Sequence, residues 1–145
     1  MFGRLFLLGG VLLAVLFTAA CTPDSGDLAV FDVWVRPERA GGNSAVYFMI
    51  DNPAMEADSL LSAKSDVAER VEIHLSTPGA DGVMRMVQQG AVPVAGKSAV
   101  LFAPGGLHLM LVGLSRELSA GETFLLRLQF KNAGEIVISV PVEER

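Results

Sequence analysis

The sequence predicts an all-β fold, a sandwich of seven to eight strands, and three observations carry that prediction. Short apolar segments alternate with a period of two. Clusters of Gly, Pro, Asn and Asp separate them at intervals of about 8–12 residues, and no stretch sustains a helical amphipathic period. After residue 21 the chain contains no cysteine. The domain must therefore be held by a hydrophobic core, without disulfides or a thiolate metal site.

The first twenty residues read as a targeting segment. Met1 to Arg4 gives a short basic start, and Leu5 to Ala20 is an uncharged, mostly apolar run of 16 residues. That is shorter than the roughly 20 residues of a membrane-spanning helix. "TAAC" closes the run, and small residues before a cysteine resemble a lipoprotein box. Cys21 then becomes the first mature residue and carries lipid on its thiol and amine. Thr18 departs from the leucine usual in such boxes, so cleavage after Ala20 to give a soluble periplasmic protein is the alternative. The lipid anchor is preferred because an exposed unpaired thiol is a liability in an oxidising compartment. Without residues 1–20 the chain has 125 residues, with ten Lys and Arg against sixteen Asp and Glu, a formal charge of −6. That length makes one domain. An acidic chain with no basic run argues against nucleic acid as a partner.

Residues 21–28 read as a tether, and 29–142 as the sandwich domain. "AVFDVWVR" (29–36) alternates around Val30, Asp32 and Trp34, which points Trp34 to the core more readily than to the rim. "SAVYFMIDNP" (44–53) is a strand stopped at Asn52–Pro53. "NPAMEADSLLSA" holds one helical turn at most. "AERVEIHLS" (68–76) and "GVMRMVQ" (82–88) flank "TPGAD" as a hairpin. "SAVLFAPGG" (98–106) leads into "GGLHLMLVGL" (105–114). "TFLLRLQF" (123–130) and "EIVISVPV" (135–142) form a last hairpin around residues 132–134.

Alternation then becomes a test of individual residues. In 68–76, Val71, Ile73 and Leu75 share one face, which leaves Glu72, His74 and Ser76 on the other. In 105–114, Leu107, Leu109 and Leu111 form the apolar phase, and His108 and Met110 stand opposite it. Met84 and Met86 share a face of 82–88 against Val83, Arg85 and Val87, and the valines are at least as good a core set. Three strands thus set a soft or borderline metal donor against an aliphatic phase, and both histidines of the chain take part. Each feature alone has a plain explanation. Methionine fills gaps in cores, a strand histidine is commonly exposed or hydrogen-bonded, and Glu72 reads first as a solvated charge, although it could orient His74. Spacing alone leaves a metal site and simple packing both open.

If a metal binds, the donors select it. Thioethers bind hard cations poorly, and zinc prefers Cys, His and carboxylate. Two imidazoles with two thioethers suit Cu(I), and a blue-copper electron carrier would need a cysteine thiolate that the domain lacks. No nucleophile–His–carboxylate set occurs at a suggestive spacing, so an enzyme is not expected. A ligand-free Ig-like envelope module, with a structural or interaction role, is the competing class.

The ordered motif Met86, twenty-one residues, His108, Leu109, Met110 resembles that of the bacterial periplasmic copper chaperones called PCuAC, whose pattern is His or Met, ten residues, Met, twenty-one residues, His, one residue, Met. His74 precedes Met86 by eleven residues, one more than the pattern, and the extra residue falls in the expected hairpin loop. "VWVRP", "NSAVYFMIDNP", "DGVMRM", "PGGLHLMLVGL" and "GEIVISVPV" also resemble the family, in its order, across residues 30–142. The resemblance implies a cupredoxin-like sandwich holding one Cu(I) through His74, Met86, His108 and Met110. It also implies delivery to the binuclear copper centre of cytochrome c oxidase beside a Sco-type partner, or general periplasmic copper homeostasis, by a monomer. Met49 and Met55 have no place in the motif and read as packing and loop residues.

Overall fold

Residues 26–145 are described by the computed structural model, in which they form two β-sheets packed face to face with no helix among the described residues. Ten strands are present: β1 (Ala29–Val35), β2 (Ser44–Asn52), β3 (Asp58–Lys64), β4 (Ala68–Pro78), β5 (Met84–Gln88), β6 (Val92–Val94), β7 (Ser98–Phe102), β8 (Leu107–Leu114), β9 (Thr123–Phe130) and β10 (Glu135–Pro141). One sheet has the order β1-β2-β7-β8-β4-β5, with β2 pairing β7 at one end and β8 at the other; the second runs β10-β9-β3-β6. The all-β sandwich is as the alternation predicts, but the expected seven to eight strands omit two. β3 lies in the segment expected to hold one helical turn at most, and a bulge between Leu60 and Ser62 breaks its period. β6 is three residues long and contains Pro93, too short for a periodic signal.

The two inner faces supply the core. Val46, Phe48 and Ile50 of β2, Leu109 and Leu111 of β8, and Leu126, Leu128 and Phe130 of β9 are all essentially inaccessible. Phe48 and Phe102 stack at 4.3 Å between ring centroids. Leu28, placed in the tether by sequence, is half-buried against this core. The lipidation site Cys21 and the targeting segment lie outside the described residues.

Asp58 fastens the four-stranded sheet to its own turn. Its carboxylate accepts the backbone N–H groups of Ser59 at 2.7 Å, Asn132 at 2.9 Å and Ala133 at 2.8 Å. Burial pushes this carboxyl up, but hydrogen bonds from the N–H groups of Asn132, Ala133, Ser59 and Lys131 outweigh it and hold the group below the usual carboxylate range.

β1 corrects the sequence reading of Trp34. A bulge lies between Phe31 and Trp34, with Asp32 in the left-handed region at φ 51°. The extra residue reverses the strand's phase, so that Val30, Val33 and Val35 face the core. Trp34 instead pairs with Tyr47 on the outer face of the six-stranded sheet.

Candidate metal centre on the outer face of the six-stranded sheet

A single row of side chains crosses the outer face of this sheet. Antiparallel register sets His74 of β4 directly opposite His108 of β8. On the far side of β8, the β2 register of Ala45 with Met110 and Val46 with Leu109 brings Tyr47 level with His108. Trp34 then stands opposite Tyr47. Ring centroids are separated by 5.7 Å for His74–His108, 6.3 Å for His108–Tyr47 and 4.6 Å for Tyr47–Trp34. The guanidinium carbons of Arg36 and Arg145 lie 5.5 and 5.2 Å from the Trp34 ring centre and pin the indole by cation–π attraction. This aromatic row explains a paradox of phase. His108 belongs to the face opposite the leucines, yet only 3% of it is exposed, because Tyr47 and His74 flank it on both sides.

Each histidine spends one nitrogen on a fixed acceptor. The turn "APGG" places Gly105 at φ 82° after Pro104, with Gly106 N–H donating to the Ala103 carbonyl at 3.0 Å, as a type II turn requires. It thereby presents the Gly106 carbonyl, which accepts from Ser76 N–H at 3.1 Å and from His108 Nδ1 at 3.0 Å. A carbonyl only accepts, so His108 Nδ1 carries the proton and Nε2 keeps its lone pair. His74 Nε2 donates to Glu72 Oε2 at 3.0 Å, which leaves the lone pair on His74 Nδ1. His74 Nδ1 and His108 Nε2 are both buried, and neither has a hydrogen-bond partner. Two buried, unpartnered imidazole lone pairs on cross-strand neighbours are costly to leave bare, and they are the donors that a soft or borderline cation takes.

Glu72 therefore corrects the reading as a solvated charge. It bridges Arg70, whose Nε donates to Oε1 at 2.9 Å, and His74. The Arg70 hydrogen bond first, and the His74 bond second, hold its carboxyl below the usual range. The carboxylate stays ionised and locks the His74 tautomer.

The methionines lie on the same face, to either side of the pair. Met110 is the next outward-facing residue of β8, opposite Glu72 and half-buried. Met86 of β5 stands opposite Ser76, one outward-facing position along from His74, and is 60% exposed. Neither phase of β5 is core, since Arg85 and Val87 are also exposed. The eleven residues between His74 and Met86 include the tip of the β4–β5 hairpin, where Gly79 N–H donates to Val83 O at 2.8 Å and Gly82 sits at φ 77°. His74 is in register with His108. Met49 is half-buried on β2, the next outward-facing residue after Tyr47, and Met55 lies 81% exposed in a loop. Among the described residues no group of three or more His, Cys, Asp or Glu could hold a metal ion. Sequence reasoning missed Tyr47, whose place beside His108 follows from the pairing of β2 with β8, and the outward Trp34, which follows from the β1 bulge, invisible to periodicity.

Comparison with known proteins decides the family. Residues 28–142 match the family described as "Putative lipoprotein LpqE-like". The chain belongs to that family. A Leifsonia xyli subsp. xyli protein, "Putative lipoprotein Lxx21020", is 30% identical over 117 residues, 79% of this chain and 69% of its own length. The Rickettsia prowazekii protein RP573 is 31% identical over 114 residues, 75% of this chain; the chain spans 62% of that relative's length. Among solved structures, the copper-bound PCuAC domain from PmoF2 superposes with a TM-score of 0.69 at 28% identity, covering 83% of this chain and 95% of that one. The apo PCuAC domain from PmoF1 gives 0.71 at 26%, covering 83% and 96%. The Cu(I) form of DR1885 from Deinococcus radiodurans, at 20% identity and a TM-score of 0.57 over 80% and 81% of the two chains, shares the fold. The LpqE-like chain thus has the sandwich of PCuAC domains, and its resemblance to them reaches well beyond the motif.

Proposed function

We propose that this LpqE-like protein is a Cu(I) chaperone of the cell envelope, holding one ion through His74 and His108 with Met86 and Met110 as thioether donors. The observation that carries the proposal is the pair of buried lone pairs on His74 Nδ1 and His108 Nε2, each left free because the other ring nitrogen is committed to Glu72 or to the Gly106 carbonyl. Neutral imidazole and thioether donors match a soft monovalent ion in charge and polarisability. A mixed shell without thiolate resists oxidation outside the cytoplasm and releases its cargo more readily than a cysteine site. The copper-bound PCuAC neighbour supports the same cargo.

Lipid on Cys21 would tether the carrier to the periplasmic side of the membrane, in keeping with the lipoprotein names of its family and relative. The PCuAC resemblance makes the binuclear copper centre of cytochrome c oxidase, with a Sco-type protein, the client of choice. Anaerobic titration with Cu(I) in competition with a chelator, read by native mass, tests the site. One copper per wild-type chain is expected, with affinity lost in His108→Ala and Met110→Ala. Equal binding by both variants would refute the ligand assignment, and no uptake by the wild type would leave a ligand-free Ig-like module as the reading.

A further inference from the structure

Two sulfurs of the outer face are not used by the four-donor site: Met49, half-buried on β2, and Met84, exposed beside the β4–β5 hairpin tip. Met84 stands opposite Pro78, Met86 opposite Ser76, and His74 opposite Gln88, all on the same face of the β4–β5 hairpin. Two residues along a strand advance about 7 Å, so the donors form a line: the histidine pair, then Met86 one step out, then Met84 a second step out beside the hairpin tip. Met84 is 52% exposed and Met86 60% exposed. The other phase of β5 is open as well. Met84 therefore packs no core, and packing cannot account for a thioether there.

The hairpin nevertheless holds Met84 in a fixed phase. Val83 N–H donates to Asp81 Oδ1 at 3.2 Å, Arg85 Nη2 pairs with Asp81 Oδ2 at 2.9 Å, and Gly79 N–H closes onto Val83 O. We infer that Met84 is an entry donor for Cu(I), receiving the ion at the hairpin tip and passing it through Met86 to the histidine pair. The inference rests on the copper reading above. Transfer is by ligand exchange: one thioether–copper bond forms as one bond to the incoming complex breaks. The ion stays Cu(I) and no proton moves, since thioethers are neutral. A lone, solvent-open thioether binds too weakly to retain the ion, as a transient donor must.

The test is anaerobic stopped-flow transfer of copper from the Cu(I)–bicinchoninate complex to the whole protein, combined with equilibrium competition against the same chelator. Met84→Leu should bind one Cu(I) with wild-type affinity but take it up about tenfold more slowly, a barrier change of about 1.4 kcal/mol. Met86→Leu should lose affinity, and Val83→Leu, on the opposite phase, should change neither quantity. An unchanged rate in Met84→Leu overturns the relay. So does a loss of equilibrium affinity matching that of Met86→Leu, which would make Met84 a resident ligand, or an equal slowing in Val83→Leu, which would make the effect one of surface shape. A wild-type protein that takes up no Cu(I) overturns the copper reading itself. If the wild type binds copper normally, any of the three results above counts against Met84 alone.

Discussion

β8 and β9 are two strands of equal length that use their outer phases differently. β9 alternates cleanly, with Phe124, Leu126, Leu128 and Phe130 buried and Thr123, Leu125, Arg127 and Gln129 exposed. β8 buries Leu109 and Leu111 inward and His108 outward, with Met110 half-covered beside it. Both strands turn a leucine face to the same core, so the core alone does not explain the difference. The outer face of β9 meets solvent, whereas that of β8 is roofed by Tyr47 and paired with His74. Burial of a polar group on a face that folding does not need to bury is the mark of a site.

Breaking the inner faces should give the largest and most equal effects. Leu109→Ala and Leu126→Ala each remove a fully buried side chain and should each cost about 2–5 kcal/mol in urea unfolding. A large disparity between them would mean that the two sheets do not share one core.

The polar anchor of the four-stranded sheet comes next. Asp58→Ala strands the N–H groups of Ser59, Asn132 and Ala133 and should cost about 1–3 kcal/mol without changing copper uptake. Because the folded pKa of Asp58 is depressed, its stabilisation is present above the unfolded value near 3.8 and is lost as pH falls through the folded value. The gap between wild type and variant should therefore close in acid, which unfolding curves across that range would show.

Glu72→Ala acts on the other sheet and on binding. Releasing the His74 tautomer should weaken Cu(I) binding about tenfold and leave stability nearly unchanged. If chelator competition finds wild-type affinity, Glu72 does not set the imidazole. The smallest effect belongs to Arg127→Ala on the exposed face of β9, where the ion pair with Glu135 is open to solvent. Stability within about 0.5 kcal/mol of wild type and unaltered copper affinity are expected there.

The contrast between the two strands also shows what was legible in sequence. Alternation found the sandwich, and it found that His74, His108 and Met110 oppose aliphatic phases, because side-chain phase is local. It did not find β6, whose three residues carry no period, or β3, whose bulge at Leu60–Ser62 disguises one. It set Trp34 inside, because the bulge at Asp32 is a backbone event with no hydrophobic signature. The role of Glu72 and the roof formed by Tyr47 depend on which strands become neighbours. The direct pairing of β4 with β8, across more than thirty residues of chain, is not written in either segment.

The bulge in β1 makes that strand a question of parity. One residue more or fewer between Ala29 and Val35 exchanges the inside and outside of everything beyond it, so deletion of Asp32 would drive an indole into a space shaped for valine and strip the aromatic row of its outer end. Trp34 is the chain's single tryptophan, so its fluorescence would report the inversion, moving to shorter wavelength as the ring leaves the surface. Emission unchanged by the deletion would show that β1 restores its own count elsewhere. Where relatives differ in length here, a gap placed by hydrophobicity alone would seat the indole in the wrong layer.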